Sequence, residues 1–311
     1  MNAVNLSTLI KGQTCDLALK NPVLTASGTF GYGMEFASFG DLTKLGGIIV
    51  KGISLKPRQG NPCPRIVETT AGMLNSIGLQ NGGVEHFCNT ILPRLPWTET
   101  AVIVNIYAAS VEEFGELAAR LGAEEGVAAL EVNISCPNVR RGGVQFGQKP
   151  EMAAAATASV RKNAPRKHVM VKLSPNVTNI TEIAVSVQDA GADSISCINT
   201  LQGMAVDLQT RRPSLANVIG GFSGPAIKPV ALRCVWQAAR AVNIPVVGVG
   251  GIMTAEDALE FILVGAVAVQ VGTASFMRPD AAFSLVEELP KACERLGIVS
   301  LTEFRGSLSV D

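Results

Sequence analysis

The chain has 311 residues, with 26 Lys and Arg balanced by 26 Asp and Glu, and 47% of its residues are hydrophobic. Only 17% are charged, which excludes a disordered or coiled-coil protein, and the neutral balance argues against a nucleic-acid binder, which normally carries a basic excess. Because no apolar run reaches about 18 residues and no basic-then-apolar segment opens the chain, we expect neither a membrane span nor a signal peptide. The seven cysteines form no Cys-x-x-Cys pair, so their spacing predicts no metal site and is typical of a cytoplasmic protein with free thiols.

Short β-rich apolar runs alternate with longer helical patterns from one end of the sequence to the other. Eight strands are predicted, at residues 21–26, 47–51, 101–106, 128–134, 168–173, 193–199, 245–249 and 266–271. Helices are predicted between them, at residues 111–121, 151–163, 180–190, 227–242 and 255–263. Ser110 and Thr254 stand at two of the helix starts, each followed three residues later by an acid, as in a capping box.

This order of elements predicts the fold. Repeated strand–helix units imply parallel strands, and eight such units imply an α/β fold of the closed (β/α)8 type, the TIM barrel. A doubly wound open sheet is the alternative. Residues 6–10 and 15–19 resemble a small β-hairpin, which we expect to cap the bottom of the barrel. No linker composition divides the sequence, so we expect one domain over residues 1–311.

Polar residues and glycines stand at the carboxyl ends of the predicted strands, where barrel enzymes carry their chemistry. In chain order these ends hold Ser27, Lys51, Asn105, Asn133, Ser135, Cys136, Lys172, Ser174, Asn199, Thr200, Gly250, Gly251, Gly272 and Thr273. A barrel used only as a scaffold would not need lysine and asparagine on apolar strands. Lysines and asparagines that meet at one mouth indicate a polar, anion-bearing ligand.

Glycines follow both of the last two strands, where barrels build their phosphate sites. Gly250 and Gly251 follow the seventh strand, Gly272 and Thr273 follow the eighth, and a further glycine cluster at residues 220–224 precedes a long helix. The alternative is that these are ordinary turn glycines. The dinucleotide fingerprint is absent because its third glycine is missing after Gly250. The pattern therefore favours a mononucleotide cofactor.

Two lysines, Lys51 and Lys172, end the second and fifth strands. They could be the partners of buried carboxylates, with Glu131 as the main candidate. Alternatively, a cation fixed beside the N1–C2=O edge of an isoalloxazine would stabilise an anionic reduced flavin. The scarcity of acids at the strand ends favours the flavin interpretation.

The acid–base group is predicted to be a cysteine rather than a histidine. The two histidines are His86, within a predicted helix, and His168, at the start of the fifth strand, and both are expected to be structural. No Ser/His/Asp set can be assembled at the mouth, so hydrolase chemistry has little support. Cys136 follows the fourth strand and opens a loop rich in arginine and glycine. A thiolate there could remove a proton from carbon, and an inert free thiol is the alternative.

Short sequence motifs are spread over almost the whole chain. They are Ala26-Ser27-Gly28, Lys51, Gly60-Asn61-Pro62-x-Pro64-Arg65, Asn75-Ser76-Ile77-Gly78-Leu79-Gln80-Asn81, Asn133-Ile134-Ser135-Cys136-Pro137-Asn138, Val171-Lys172-Leu173-Ser174-Pro175, Asn199-Thr200, Ser223-Gly224-Pro225, Gly250-Gly251 and Gly272-Thr273. Together they are highly specific, although a single glycine pair would not be. With them the sequence resembles the class 1 dihydroorotate dehydrogenases, flavin enzymes that make orotate in pyrimidine biosynthesis.

This resemblance implies a role for particular residues. The family's cysteine base falls on Cys136, which would take the C5 proton of dihydroorotate while a hydride passes from C6 to flavin N5. FMN would contact Ser27, Lys51, Gly52, Asn105, Asn133, Lys172, Ile198, Gly224, Gly250, Gly251, Gly272 and Thr273. The substrate would contact Lys51, Asn75, Ser76, Ile77, Gly78, Leu79, Asn133, Asn199 and Thr200. Lys51 would hold the substrate carboxylate, and the loop at residues 136–149 would close over the ring to exclude water.

Within class 1, residues 78–81 and 200–207 resemble the NAD-linked type 1B branch. In that branch the catalytic subunit passes electrons to NAD through a partner subunit that bears FAD and a [2Fe–2S] cluster. The resemblance therefore implies a homodimer of this chain within a heterotetramer. The sequence departs from the family pattern at Ala108, where a glycine is expected after Tyr107.

Three alternatives stay open at this point. A type 1A dihydroorotate dehydrogenase would be a self-sufficient homodimer that reduces fumarate. An iron–sulfur-linked pyrimidine reductase would share the Asn-x-Ser-Cys-Pro core and act on uracil. A non-catalytic barrel that binds a phosphate ligand would be colourless when purified.

Overall fold

A computed structural model describes residues 4–134 and 146–310 of the chain, and eight of its strands close into a parallel barrel. The strands are β1 (Thr8–Ile10), β2 (Leu17–Leu19), β3 (Val23–Thr25), β4 (Gly47–Ile53), β5 (Ile66–Thr69), β6 (Gly72–Asn75), β7 (Ala101–Ile106), β8 (Ala129–Asn133), β9 (His168–Leu173), β10 (Ser194–Cys197), β11 (Leu201–Met204), β12 (Val206–Asp207), β13 (Arg212–Pro213), β14 (Ile219–Ser223), β15 (Val246–Val249) and β16 (Ala266–Val271). The barrel order is β3, β4, β7, β8, β9, β10, β15 and β16, and β16 pairs back with β3. The predicted TIM barrel is confirmed.

Helices lie between the strands and after the last of them. They are α1 (Gly83–His86), α2 (Val111–Gly122), α3 (Pro150–Asn163), α4 (Ile180–Asp189), α5 (Lys228–Ala241), α6 (Ala255–Leu263), α7 (Ala274–Met277), α8 (Ala281–Arg295) and α9 (Leu301–Phe304). Both predicted caps are present, since Ser110 Oγ accepts from the Glu113 N–H at 3.2 Å and Thr254 Oγ1 accepts from the Asp257 N–H at 3.2 Å. Within the residues that the structure describes, no helix is long and apolar enough to cross a membrane.

The barrel strands lie within two residues of their predicted bounds, and β7, β9 and β16 match at both ends. Parallel strands covered on both faces are apolar throughout, which is why the apolar runs locate them well. The largest extension is in β4, which continues to Ile53 because Ile53 pairs with Ile106 beyond an irregularity in the register.

The predicted hairpin is also confirmed, as β1 and β2 pair antiparallel and close the lower end of the barrel. Its apolar side chains pack against the inward-facing residues of the barrel strands. This inner core consists of Ile10, Leu17, Leu19, Leu24, Ile49, Ile103, Ala129, Met170, Val247, Val267 and Ala268. In the part of the barrel that the structure describes, the interior is therefore filled below its carboxyl end.

A buried carboxylate, Asp193, ties this hairpin to the barrel. It accepts hydrogen bonds from the N–H groups of Thr14 at 2.7 Å, Cys15 at 3.2 Å and Val169 at 3.0 Å. It also pairs with the guanidinium of Arg161. The charge is compensated from several sides, as a buried carboxylate requires.

His168 lies at the same end of the barrel and is buried. Its Nδ1 is 2.7 Å from the carbonyl oxygen of Cys15, so Nδ1–H donates, and Nε2, 2.7 Å from Ser194 Oγ, accepts from that hydroxyl. Burial lowers the pKa of His168. Its position far from the strands' carboxyl ends agrees with the structural role that we expected.

An antiparallel sheet of four strands, in the order β11, β14, β6 and β5, stands at the mouth of the barrel and was not predicted. Its strands are short and rich in glycine, so they lack the apolar runs that revealed the barrel. Glycine is needed at Gly221, for example, since a Cβ there would lie 2.2 Å from Thr200 Oγ1. This sheet brings Asn75 to the mouth.

Candidate active site

A cavity of about 360 Å³ opens at the carboxyl ends of the barrel strands, a size within the roughly 300–1,000 Å³ of small-molecule sites. Every barrel strand contributes to its lining through residues at or just after the strand end, namely Ser27, Lys51, Asn105, Asn133, Lys172, Ile198, Gly250 and Gly272. The sheet at the mouth adds Ile66, Met73, Asn75 and Ser223. Most of the polar strand ends identified in the sequence therefore meet at one place; Ser174 is not in the lining, and Ser135 and Cys136 lie outside the described residues.

The cavity brings together most of the residues predicted to bind FMN or substrate. They are Ser27, Lys51, Gly52, Asn75, Ile77, Gly78, Leu79, Asn105, Asn133, Lys172, Ile198, Asn199, Thr200, Gly224, Gly250, Gly251, Gly272 and Thr273. Ser76 does not line it, because its side chain is buried and its N–H donates to the Arg65 carbonyl at 2.8 Å. Cys136, the predicted base, lies outside the described residues.

The ammonium of Lys51 is half-buried at one side of the cavity. Its Nζ lies 5.7 Å from the centre of the Tyr32 ring, within the range of a cation–π contact. Burial lowers the pKa of Lys51, the nearby Glu35 carboxylate opposes that shift, and Arg65 adds to it. Arg65 and Lys51 thus make this side of the cavity positive and suited to an anionic group.

Glycines form another side of the cavity. Gly250 and Gly251 both have positive φ, +133° and +77°, which side chains rarely adopt. A Cβ at Gly251 would lie 2.8 Å from the Lys228 nitrogen and 3.0 Å from the Gly224 oxygen. The backbone after β15 and the segment from Gly224 to Lys228 therefore approach closely here. Beside them, Thr273 Oγ1 donates to Ser223 Oγ at 2.9 Å. Such a cradle could hold a phosphate group.

Glu131 lies on β8 below this cavity and is fully buried. Its Oε2 accepts from Asn105 Nδ2 at 2.6 Å and lies 3.7 Å from Lys172 Nζ. Its Oε1 accepts from Ser196 Oγ at 2.8 Å and from Gln270 Nε2 at 2.7 Å. Lys172 therefore forms the buried ion pair that was one interpretation of its role. It also lines the cavity, so it is placed to contact a bound ligand as well.

The loop from Asn75 to Asn81 is shaped by its last residue. Asn81 Nδ2 donates to the Leu79 carbonyl at 2.7 Å and to Ser54 Oγ at 2.8 Å, and its Oδ1 accepts from the Gly83 N–H at 2.8 Å. These bonds hold Leu79 at a φ of +60°, a strained conformation for a leucine. These bonds shape the part of the loop, Ile77 to Gln80, that lines the cavity.

Two polar residues of the lining, Arg65 and Gln80, were not assigned a role from the sequence. Arg65 Nη2 donates to Gln80 Oε1 at 2.5 Å and Nη1 to the Asn61 carbonyl at 3.4 Å. Both residues belong to sequence motifs named above, and their polar side chains were the signal that could have assigned them to the site. Their place in the lining depends on the unpredicted sheet.

Ala108, the departure from the family pattern, causes no local distortion. It is fully buried, and the non-glycine residues with positive φ in the described part of the chain are Leu79, Arg211 and Val218. A glycine is therefore not required after Tyr107, whose ring stacks 5.5 Å from the Arg58 guanidinium.

Comparison with known proteins gives the same family throughout. The family model described as dihydroorotate dehydrogenase matches residues 9–293. Two relatives named "Dihydroorotate dehydrogenase B (NAD(+)), catalytic subunit", from Maridesulfovibrio salexigens and Solidesulfovibrio magneticus, are 63% and 65% identical over 294 residues, which are 94% of this chain and 96% of each relative. A third of that name, from Geotalea uraniireducens, is 56% identical over 99% of both chains.

A solved structure agrees in fold. The crystal structure of DHODH from Eimeria tenella in complex with ferulenol has a TM-score of 0.79 and 24% sequence identity, and the likeness covers 97% of this chain and 88% of that chain. A family match over most of the sequence and relatives at this level of identity leave one conclusion: the chain belongs to the dihydroorotate dehydrogenase family.

Proposed function

We propose that this protein oxidises (S)-dihydroorotate to orotate in de novo pyrimidine biosynthesis, with FMN in its cavity. The observation that carries the proposal is the meeting of a glycine cradle, two lysines and four asparagines in one cavity. The names of the relatives, at 54–65% identity over nearly the whole chain, support the same reaction.

The cavity fits the cofactor at both of its ends. The cradle of Gly224, Gly250 and Gly251, with Thr273 beside it, would receive the phosphate of FMN. Lys172 and Asn105, at the ends of β9 and β7, would face the polar edge of the ring. Bound FMN supplies the acceptor for the hydride that leaves C6 of the substrate.

The protein's own groups would bind the substrate and move its proton. Lys51 would pair with the substrate carboxylate, and the asparagines Asn75, Asn133 and Asn199 would satisfy the N–H and C=O groups of its ring. Analogues that lack those groups would leave the site's amides unpaired and be rejected. Cys136 is proposed as the base that takes the C5 proton, on the family motif alone, since it lies outside the described residues.

Electrons would leave this chain through a second protein. The relatives are named as catalytic subunits of NAD(+) enzymes, which supports a separate electron-transfer subunit, proposed here to carry FAD and a [2Fe–2S] cluster. Among the described residues no group of His, Cys, Asp and Glu is placed to hold a metal ion. A homodimer with two such partners, located in the cytoplasm, completes the proposal.

The test is orotate formation by the FMN-loaded chain with an artificial electron acceptor, followed by ultraviolet absorbance. We expect orotate from dihydroorotate and no reduction of uracil. Lys51→Met should raise KM for dihydroorotate roughly 10- to 100-fold, since a charge-assisted hydrogen bond contributes about 1.5–3 kcal/mol. Lys20→Met, at an exposed lysine, is the matched control and should leave KM unchanged. An FMN-loaded protein that forms no orotate would refute the proposal.

A further inference from the structure

Glu131 is a charged group in a place where a charge is costly. It follows Ala129 on the inward face of β8, directly above the apolar filling of the barrel, and is fully buried. A buried carboxylate destabilises a fold unless its charge and its lone pairs are all satisfied. It does not line the cavity, so it can influence a ligand only through its neighbours.

The two oxygens of Glu131 have different neighbours. Oε1 accepts from two neutral groups, Ser196 Oγ and Gln270 Nε2. Oε2 faces the two neighbours that line the cavity, Asn105 Nδ2 at 2.6 Å and Lys172 Nζ at 3.7 Å. One oxygen therefore anchors the carboxylate in the barrel, and the other acts on the floor of the site.

The charge also decides how a row of amides is oriented. A carboxylate can only accept hydrogen bonds, so Asn105 must turn its NH2 group toward Glu131. The Asn105 Oδ1 then accepts from Asn133 Nδ2 at 3.5 Å, and the Asn133 Oδ1 accepts from Asn199 Nδ2 at 3.3 Å. At the other end of the row the Thr200 N–H donates to Asn199 Oδ1 at 2.8 Å. The carboxylate therefore sets the direction of the Asn105 amide, and the Asn133 amide lies between the two fixed ends.

We infer that Glu131 is a positioning residue for the reaction: it balances the charge of Lys172 and holds the direction of the amides of Asn105 and Asn133. The inference rests on the proposed function, because it concerns how those amides and that lysine meet substrate and FMN. Reversing the row would exchange donors and acceptors along it and mismatch the ring of the substrate.

The test compares variants of Glu131 in the FMN-loaded protein by two equilibrium measurements, the Kd of orotate and the midpoint potential of bound FMN. Glu131→Gln can present either a donor or an acceptor to Asn105, so orotate should bind about tenfold more weakly. Because the variant also loses the negative charge beside Lys172, reduced FMN should gain about tenfold in affinity relative to oxidised FMN, which corresponds to about 30 mV in potential.

Two further variants separate charge from position. Glu131→Asp keeps the charge but shortens the reach to Asn105, so orotate binding should weaken while the potential stays near that of the wild type. If Glu131→Gln does not fold, this variant still tests the amide row. Ser196→Ala removes a neutral donor from Oε1 only and should change neither measurement by more than about twofold.

The inference is overturned if Glu131→Gln binds orotate and holds its FMN potential like the wild type, or if Ser196→Ala changes both as much. These outcomes presuppose a wild-type protein that binds FMN and is reduced by dihydroorotate. A wild type that fails in either respect would instead refute the proposed function, so the two failures can be told apart.

Discussion

Replacing Asp193 by asparagine should strongly destabilise the protein although it barely changes the side chain's shape. The Asp193 side chain is 0% exposed and that of its partner Arg161 is 14% exposed. Asparagine can still accept from Thr14 and Cys15 through Oδ1. Its NH2 group would replace Oδ2, however, and would face the Val169 N–H and the Arg161 guanidinium, which are both donors.

The expected cost follows from these contacts. Removing one partner of a buried ion pair costs about 3–5 kcal/mol, against a total of about 5–15 kcal/mol for a typical domain. At about 2 °C per kcal/mol for a chain of this size, the melting temperature should fall by roughly 6–10 °C. Thermal unfolding followed by circular dichroism measures this directly.

The matched control is Glu287→Gln, which breaks the exposed pair of Glu287 and Lys44, whose side chains are 64% and 58% exposed. An exposed pair contributes at most about 1 kcal/mol, so the control should melt within about 2 °C of the wild type. If Asp193→Asn melts as close to the wild type as the control does, the contacts of Asp193 do not stabilise the barrel.

The remaining predictions concern the base, the pH dependence and electron exit. Cys136→Ala should slow flavin reduction, measured by stopped flow, by roughly 10²–10⁴-fold. Cys136→Ser should be active only at higher pH, because a hydroxyl is less acidic than a thiol. Flavin reduction by Cys136→Ala at a rate near that of the wild type would indicate another base. Burial lowers the pKa of His168. Below about pH 6.5 the unfolded chain therefore binds more protons than the folded one, and the free energy of unfolding decreases as the pH is lowered. The difference in melting temperature between wild type and His168→Gln should shrink from about pH 7.5 to about pH 5.5, and a constant difference would contradict it. The isolated chain should reduce artificial acceptors but not NAD until the partner subunit is added; efficient NAD reduction without it refutes that arrangement, and vigorous fumarate reduction indicates the type 1A enzyme.

The barrel could be predicted from the sequence because its strands are covered on both faces. Strands such as β9 and β16 are buried along their whole length and are mostly apolar, which is the pattern that reveals a strand covered on both faces. Since the carboxyl ends of parallel strands meet in a barrel, Lys51, Asn105 and Asn133 could be placed in one site before any contact was known.

The features that could not be predicted from the sequence depend on contacts between segments that are distant in the chain. The sheet at the mouth is held by close backbone approaches at glycines such as Gly221, which carry no periodic signal. Glu131 could be named as a partner for a lysine, but its bonds to Asn105, Ser196 and Gln270 join four strands and follow only from the closed barrel. The exclusion of Ser76 from the lining likewise depends on how its loop turns.

The most direct test of the proposed reaction is the visible spectrum of the FMN-loaded protein under anaerobic conditions, before and after dihydroorotate is added. The cavity that joins the glycine cradle to Lys172 and the asparagines predicts that the absorption of oxidised flavin bleaches and that orotate appears in equal amount. A protein that holds FMN and keeps its oxidised spectrum in excess dihydroorotate would contradict the proposed function.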